Sequence, residues 1–134
     1  LTNKDLIGLL NGIQIMEQKA YTDIDELKPT ILYKLVRNRK TVMDELNVFE
    51  DGRIKLVEEL GRRKKNGDLV IKDNVVAFTK KNQEIFSKGL QELIMKEVEV
   101  EFDKFEPSQL EESGLAKDPK ENQFLPIVME YLVG

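Results

Sequence analysis

ILYKLVRNRKTVMDELNVFEDGRIKLVEEL, residues 31–60, is the stretch around which the rest of the chain must fold. Its apolar residues recur at alternating gaps of three and four: Leu32, Leu35, Val42, Leu46, Phe49, Leu56 and Leu60. Written as heptads, Leu32, Arg39, Leu46, Arg53 and Leu60 take one seam position, and Leu35, Val42, Phe49 and Leu56 take the other. A seven-residue repeat keeps one stripe turned toward a partner helix, the coiled-coil pattern. From about Thr30 to Leu60 such a helix is a rod of roughly 45 Å. A lone rod has nothing to bury its stripe against, so other segments, or another chain, must cover it.

Two seam positions carry a charge. An arginine at Arg39 or Arg53 can set register or partner choice at some cost in stability. The plainer and better-supported reading lays each stem along the seam and sends its head to water. Gly52 permits a kink or a break near the middle of the rod. Lys34, Arg37, Asn38, Arg39 and Lys40 form a local basic cluster.

As a whole, the chain of 134 residues is 40% hydrophobic and 34% charged, which suits one folded, mainly helical domain spanning 1–134. Cysteine is absent, so disulfides and thiolate metal sites are excluded. Histidine is absent too, which removes Ser-His-Asp, Cys-His and His-based zinc chemistry. No apolar run approaches the length of a membrane span, and the start LTNKDLIGLL reads as a helix without the basic flank of a signal peptide. Residues 1–43 carry a balance of +2, residues 44–81 of +1 and residues 82–134 of −7. That split can steer one end toward a partner of opposite charge, another copy included.

In chain order, Thr2 or Asn3 can cap a first helix with Asp5 in its first turn. Leu6, Leu9, Leu10, Ile13 and Met16 share one face. Gly8 and Gly12, four apart, would admit another backbone, but local looseness is the reading favoured for a soluble helix. Asp23, Asp25 and Glu26 look like the start of a calcium loop without its glycine and final glutamate, so a solvated turn is preferred. Gly61 sits at a helix C-terminus, followed by Arg62-Arg63-Lys64-Lys65 and the turn signal Asn66-Gly67. The four basic residues complement the helix dipole, and without interleaved aromatics they are weak evidence for nucleic acid.

Leu69-Val70-Ile71 and Val75-Val76 suggest a short hairpin or a bent strand. Thr79 opens a third helix whose face carries Ile85, Phe86, Leu90, Leu93 and Ile94, with Asn82 as a polar exception. Then VEVEF alternates: Val98, Val100 and Phe102 point one way, and Glu97, Glu99, Glu101 and Asp103 the other. Those four carboxylates could hold a hard cation; a solvated face or a protected sheet edge is the stronger reading. The last helix begins near Asn122 and admits Pro126 only in its first turn. Its Phe124, Ile127, Val128, Tyr131 and Leu132 must dock on the rod or on a partner. The expected fold is mainly α with a small β element (α+β), a long helical hairpin or bundle with a two- to three-stranded sheet. In it, residues 69–71 pair with 98–102.

The order of KLVRNRKTVMDELNVFEDGRIKLVEELG (34–61), NGDLVI (66–71) and FSKGLQELIMKEVEVEF (86–102) resembles a group of small proteins of tailed phages that infect Gram-positive bacteria. The likeness covers about residues 30–105, and these proteins are encoded among structural and assembly genes. They have no established chemistry, so the resemblance implies a setting, the cytoplasm of an infected bacterial cell, and transfers no functional residue.

The function expected from this reading is non-enzymatic: helix-mediated contacts in virion or tail morphogenesis, as an assembly chaperone or minor structural component. No cofactor or metal is expected. The partner would be another phage protein or a second copy, most plausibly in a homo-oligomer, with neither membrane nor nucleic acid. Arg39, Leu46, Phe49, Arg53, Phe124, Ile127 and Tyr131 are the expected partner-binding residues. The alternative is a host-directed inhibitor whose acidic C-terminal third blocks a basic host surface. An enzyme survives only as a metal-dependent site on Glu97, Glu99, Glu101 or Asp103.

Overall fold

The computed structural model describes residues 1–22, 28–113 and 122–134, apart from the Glu112 side chain. Asp23, Asp25 and Glu26, read above as a solvated turn, lie outside the described residues. In chain order the elements are α1 (Asn3–Thr22), α2 (Pro29–Leu60), β1 (Ile71–Lys72), β2 (Val75–Val76), α3 (Lys80–Ile94), α4 (Pro107–Ser113) and α5 (Leu125–Leu132). The protein is mainly helical, with one two-stranded antiparallel sheet among the described residues.

The rod forms as the single helix α2, with Pro29 in its first turn and no break at Gly52. Its deepest stripe is Ile31, Leu35, Asn38 and Val42. One expected seam, through Leu35 and Val42, is therefore central, whereas Leu32, Arg39 and Leu46 lie half-buried on its shoulder. Ile31 and Asn38 hold the place assigned to Leu32 and Arg39. The true stripe also repeats in sevens, Ile31 to Asn38 and Leu35 to Val42. Its second line sits one residue, about 100° of turn, from the line drawn through Leu32, because a buried asparagine does not read as a seam residue.

Two helices cover α2 in succession. Helix α1 packs Leu6, Leu9, Ile13, Met16 and Ala20 into one core with Ile31, Leu35 and Val42 of α2. It opens with a reciprocal cap: the Asp5 N–H donates to Thr2 Oγ1 at 3.2 Å, and the Thr2 N–H donates to Asp5 Oδ2 at 2.8 Å. Helix α3 takes over on the second half of α2. Leu93 sits on Gly52, its Cδ1 3.3 Å from where a Cβ would stand, and Leu56 sits on Gly89 at 3.2 Å. Gly52 is thus a seat for a neighbouring side chain rather than a hinge. The two covering helices meet end to end, where Asn3 Nδ2 donates to the Leu93 carbonyl at 2.7 Å.

The alternating segment after α3 is an extended strap, with Val98, Val100 and Phe102 packed on the core and Glu97, Glu99 and Glu101 exposed. It does not pair with residues 69–71, contrary to the expectation above. Its start bridges the N-terminal residues, Val98 N–H donating to the Leu1 carbonyl at 2.8 Å. Its end bridges the C-terminal ones: the fully buried Phe105 donates its N–H to the Leu132 carbonyl at 2.7 Å. Residues 71–76 instead close on themselves, Ile71 opposite Val76 and Lys72 opposite Val75. Asp73 (φ 51) and Asn74 (φ 65) make that possible, since a two-residue hairpin of the native twist needs both central residues at positive φ.

Helix α5 crosses α1 at its glycines. A Cβ on Gly12 would lie 2.5 Å from Val128 Cγ2 and 3.2 Å from Phe124 Cβ. Close approach, not looseness, is what Gly12 provides. Gly61 follows α2 with an ordinary φ of −63, so it is not a left-handed cap; a Cβ there would meet Leu69 Cδ2 and the Val57 carbonyl at 2.7 Å.

Candidate interaction surface

Burial divides the molecule into a base and an arm. Among the described residues, no hydrophobic side chain between Val42 and Phe105 is fully buried. Every core residue belongs to α1, the first half of α2, Phe105, α4 or α5. The arm consists of the second half of α2, residues 61–79 and α3, and α3 buries no residue at all. Two helices and a ribbon can enclose a seam between them, but they supply no third layer to close it.

The arm is ordered by its own chemistry all the same. Thr79 caps α3, its Oγ1 accepting from the Asn82 N–H at 3.2 Å. Asn82, the polar exception on the α3 face, donates to the Leu60 carbonyl at 3.0 Å and so ties α3 to an end of α2 whose free carbonyls need donors. Arg63 donates to the carbonyls of Glu58 and Gly67 at 2.7 and 2.8 Å, which closes the same helix end as the dipole argument anticipates. Phe78 and Phe86 stack with ring centroids 4.8 Å apart.

Between α2, the hairpin and α3 runs a groove of about 550 Å³, floored by Ile54, Val57, Leu69, Val76, Phe78 and Phe86. Ile54 is 41% exposed, Ile71 62%, Val75 65% and Ile85 44%. Ile54 and Val75 both line the groove, and apolar exposure gathered at one place in this way marks an interaction surface where single exposed residues do not.

The expected partner-binding residues separate between the two parts. Arg39 is tied within the chain, Nε to Glu17 Oε1 at 2.8 Å across α1 and α2. Leu46 is half-buried against the core, and Phe49 is half-buried beyond it. Arg53 rims the arm groove and is held along its own helix, Nε to Glu50 Oε2 at 2.9 Å. That hydrogen bond, with the opposite charge, keeps the Glu50 carboxyl below its ordinary pKa. Phe124 and Ile127 are half-buried over Gly8 and Gly12. Tyr131 packs half-buried beside the strap, its hydroxyl pKa raised by burial and then by the nearby carboxylates of Asp5, Glu130 and Glu97.

Glu97 pairs with the Leu1 ammonium at 2.8 Å, and Asp103 lies 3.9 Å from Arg37. Among the described residues, no three carboxylates converge as metal ligands would. No helix among them is long and apolar enough to cross a membrane. Of the groove residues, Phe86 is legible on the apolar face of the third helix, but Ile54 and Val57 escape the sequence reading because they lie off the heptad seam of α2, and Phe78 because it falls between the hairpin and α3. The usable signal is the apolar pair Ile54 and Val57 beside the apolar stretches 69–71 and 75–76. Comparison of the chain with protein-family models, with curated proteins and with solved structures found no match.

Proposed function

We propose that the protein acts without catalysis, as a docking module whose base holds the arm in place and whose arm engages another protein. One observation carries this reading: the arm keeps its groove and hairpin apolar while burying none of those side chains completely. Each such side chain gains on the order of 1 kcal/mol or more when a partner removes its remaining surface from water. In its narrower form, suggested by the phage resemblance, the partner is another phage protein met during virion or tail assembly in the host cytoplasm. A host-directed role draws support from a different observation, the row of exposed carboxylates at Glu97, Glu99 and Glu101, which would face a basic surface.

Site-specific photo-crosslinking tests the choice. A photoreactive residue at Ile71 or Val75 on the arm should trap one defined protein in cells that make the chain. The same residue at Met129, on the base, should not. A trap from Glu99 and none from the arm would favour the host-directed reading, and equal labelling from all sites would count against both.

A further inference from the structure

The occupant of the arm groove can be narrowed by charge; this step rests on reading the arm as a docking surface. Residues 44–51 contain Asp44, Glu45, Glu50 and Asp51 and no basic residue, whereas residues 62–65 are Arg62, Arg63, Lys64 and Lys65. Among the described residues, Asp44, Asp51, Arg62, Lys64 and Lys65 make no ion pair, and all five are exposed. Along the chain the acidic residues precede, and the basic residues follow, the α2 residues that line the groove, Arg53, Ile54, Val57 and Glu58. The point midway between them falls at Lys55 and Leu56, beside the floor residues Ile54 and Val57.

We infer that the groove is covered by the arm of a second copy, packed antiparallel about a two-fold axis near Ile54–Val57. With the axis there, the basic tip of each arm meets the acidic stretch of the other, and both contacts form at once. A parallel arrangement would set acid against acid and base against base. The interface is isologous, so it closes at two copies and leaves no open end for filament growth.

Sedimentation velocity on the whole chain at tens of micromolar tests this, with two charge-reversal variants at exposed positions. One is Asp44→Lys with Asp51→Lys; the other is Arg62→Glu, Lys64→Glu and Lys65→Glu. The parent should sediment as a dimer. Each variant alone should associate at least about tenfold more weakly, and an equal mixture of the two should recover a heterodimer. Circular dichroism of both variants checks that the fold is kept.

A monomeric parent, or a dimer indifferent to both reversals, overturns the antiparallel pairing. The docking reading itself is judged separately. A monomeric parent whose Val75 crosslinker still traps a different protein loses only the second-copy assignment. A monomer that traps nothing from the arm loses both.

Discussion

Asn38 and Asp103 are joined by two hydrogen bonds: Asn38 Nδ2 donates to the Asp103 carbonyl at 2.9 Å, and its Oδ1 accepts from the Asp103 N–H at 2.8 Å. One fully buried side-chain amide thereby does for the strap what a neighbouring strand does in a sheet. Lys34, one turn earlier on α2, donates to the Lys104 carbonyl at 2.8 Å, so the rod holds two successive residues of the strap.

Replacing Asn38 by leucine keeps the branched shape, with somewhat larger terminal groups, and removes both bonds. Two main-chain groups of Asp103 then lose their partners at a part-buried contact, each at about 1–3 kcal/mol. We predict that Asn38→Leu destabilises the fold by about 2–4 kcal/mol in urea unfolding. A loss under about 0.5 kcal/mol would mean that water replaces the amide without penalty.

Gly8 and Gly12 should respond to alanine with opposite signs. At Gly8 the nearest atom to a new Cβ is Ile127 Cδ1 at 3.5 Å, an ordinary contact, so Gly8→Ala should gain up to about 1 kcal/mol from helix propensity. At Gly12 the new methyl meets Val128 Cγ2 at 2.5 Å, so Gly12→Ala should lose about 1–3 kcal/mol as α5 is pushed away. Thermal melts of the two variants decide it, and shifts of the same sign would refute the crossing geometry.

Tyr131 supplies an alkaline limit. Its hydroxyl pKa is raised above the ordinary value of 10.0, first by burial and then by Asp5, Glu130 and Glu97, so the fold disfavours the phenolate. The stabilisation is complete below pH 10 and is lost as pH rises through the raised folded-state value. Ultraviolet titration should show one tyrosine ionising late, and Tyr131→Phe should remove that phase and flatten the alkaline fall in stability. An unchanged titration in the variant would place the late group elsewhere.

Base and arm should also differ in local stability. The base holds the buried core and the arm does not, so α3 and residues 61–79 should open at lower free energy than α1. Hydrogen exchange on dilute protein should show protection highest around Leu9, Ile13 and Val42 and lowest in α3. In the same vein, Val42→Asp should abolish folding, because it places an unpaired charge in the core. Val75→Asp should leave the helical signal intact while weakening arm contacts. Uniform exchange across the chain, or an unfolded Val75→Asp protein, would remove the distinction between base and arm.

Local signals in the sequence carried much of the architecture. The apolar repeat in 31–60 specified α2, Thr2 and Thr79 marked helix starts, Pro29 and Pro126 lie in first turns, and VEVEF indicated which side chains turn inward. These are properties of neighbouring residues, and the spacing of polar and apolar groups is sufficient to set them.

Tertiary structure decided the rest, because the deciding partners are far away in the chain. Asn3, Asn38 and Asn122 each fasten a junction by bonding main-chain carbonyls 90, 65 and 110 residues distant, of Leu93, Asp103 and Gly12. Main-chain acceptors leave no mark in the sequence, so each asparagine reads as an ordinary polar residue until the helices are placed. The glycines behave alike: whether Gly12 and Gly52 loosen a helix or receive Val128 and Leu93 depends on what packs there. The exposure of the arm follows the same logic. Periodicity makes the whole of α2 amphipathic, but α1 and the strap enclose only its first half, and α3 with the hairpin is too thin a layer to enclose the second.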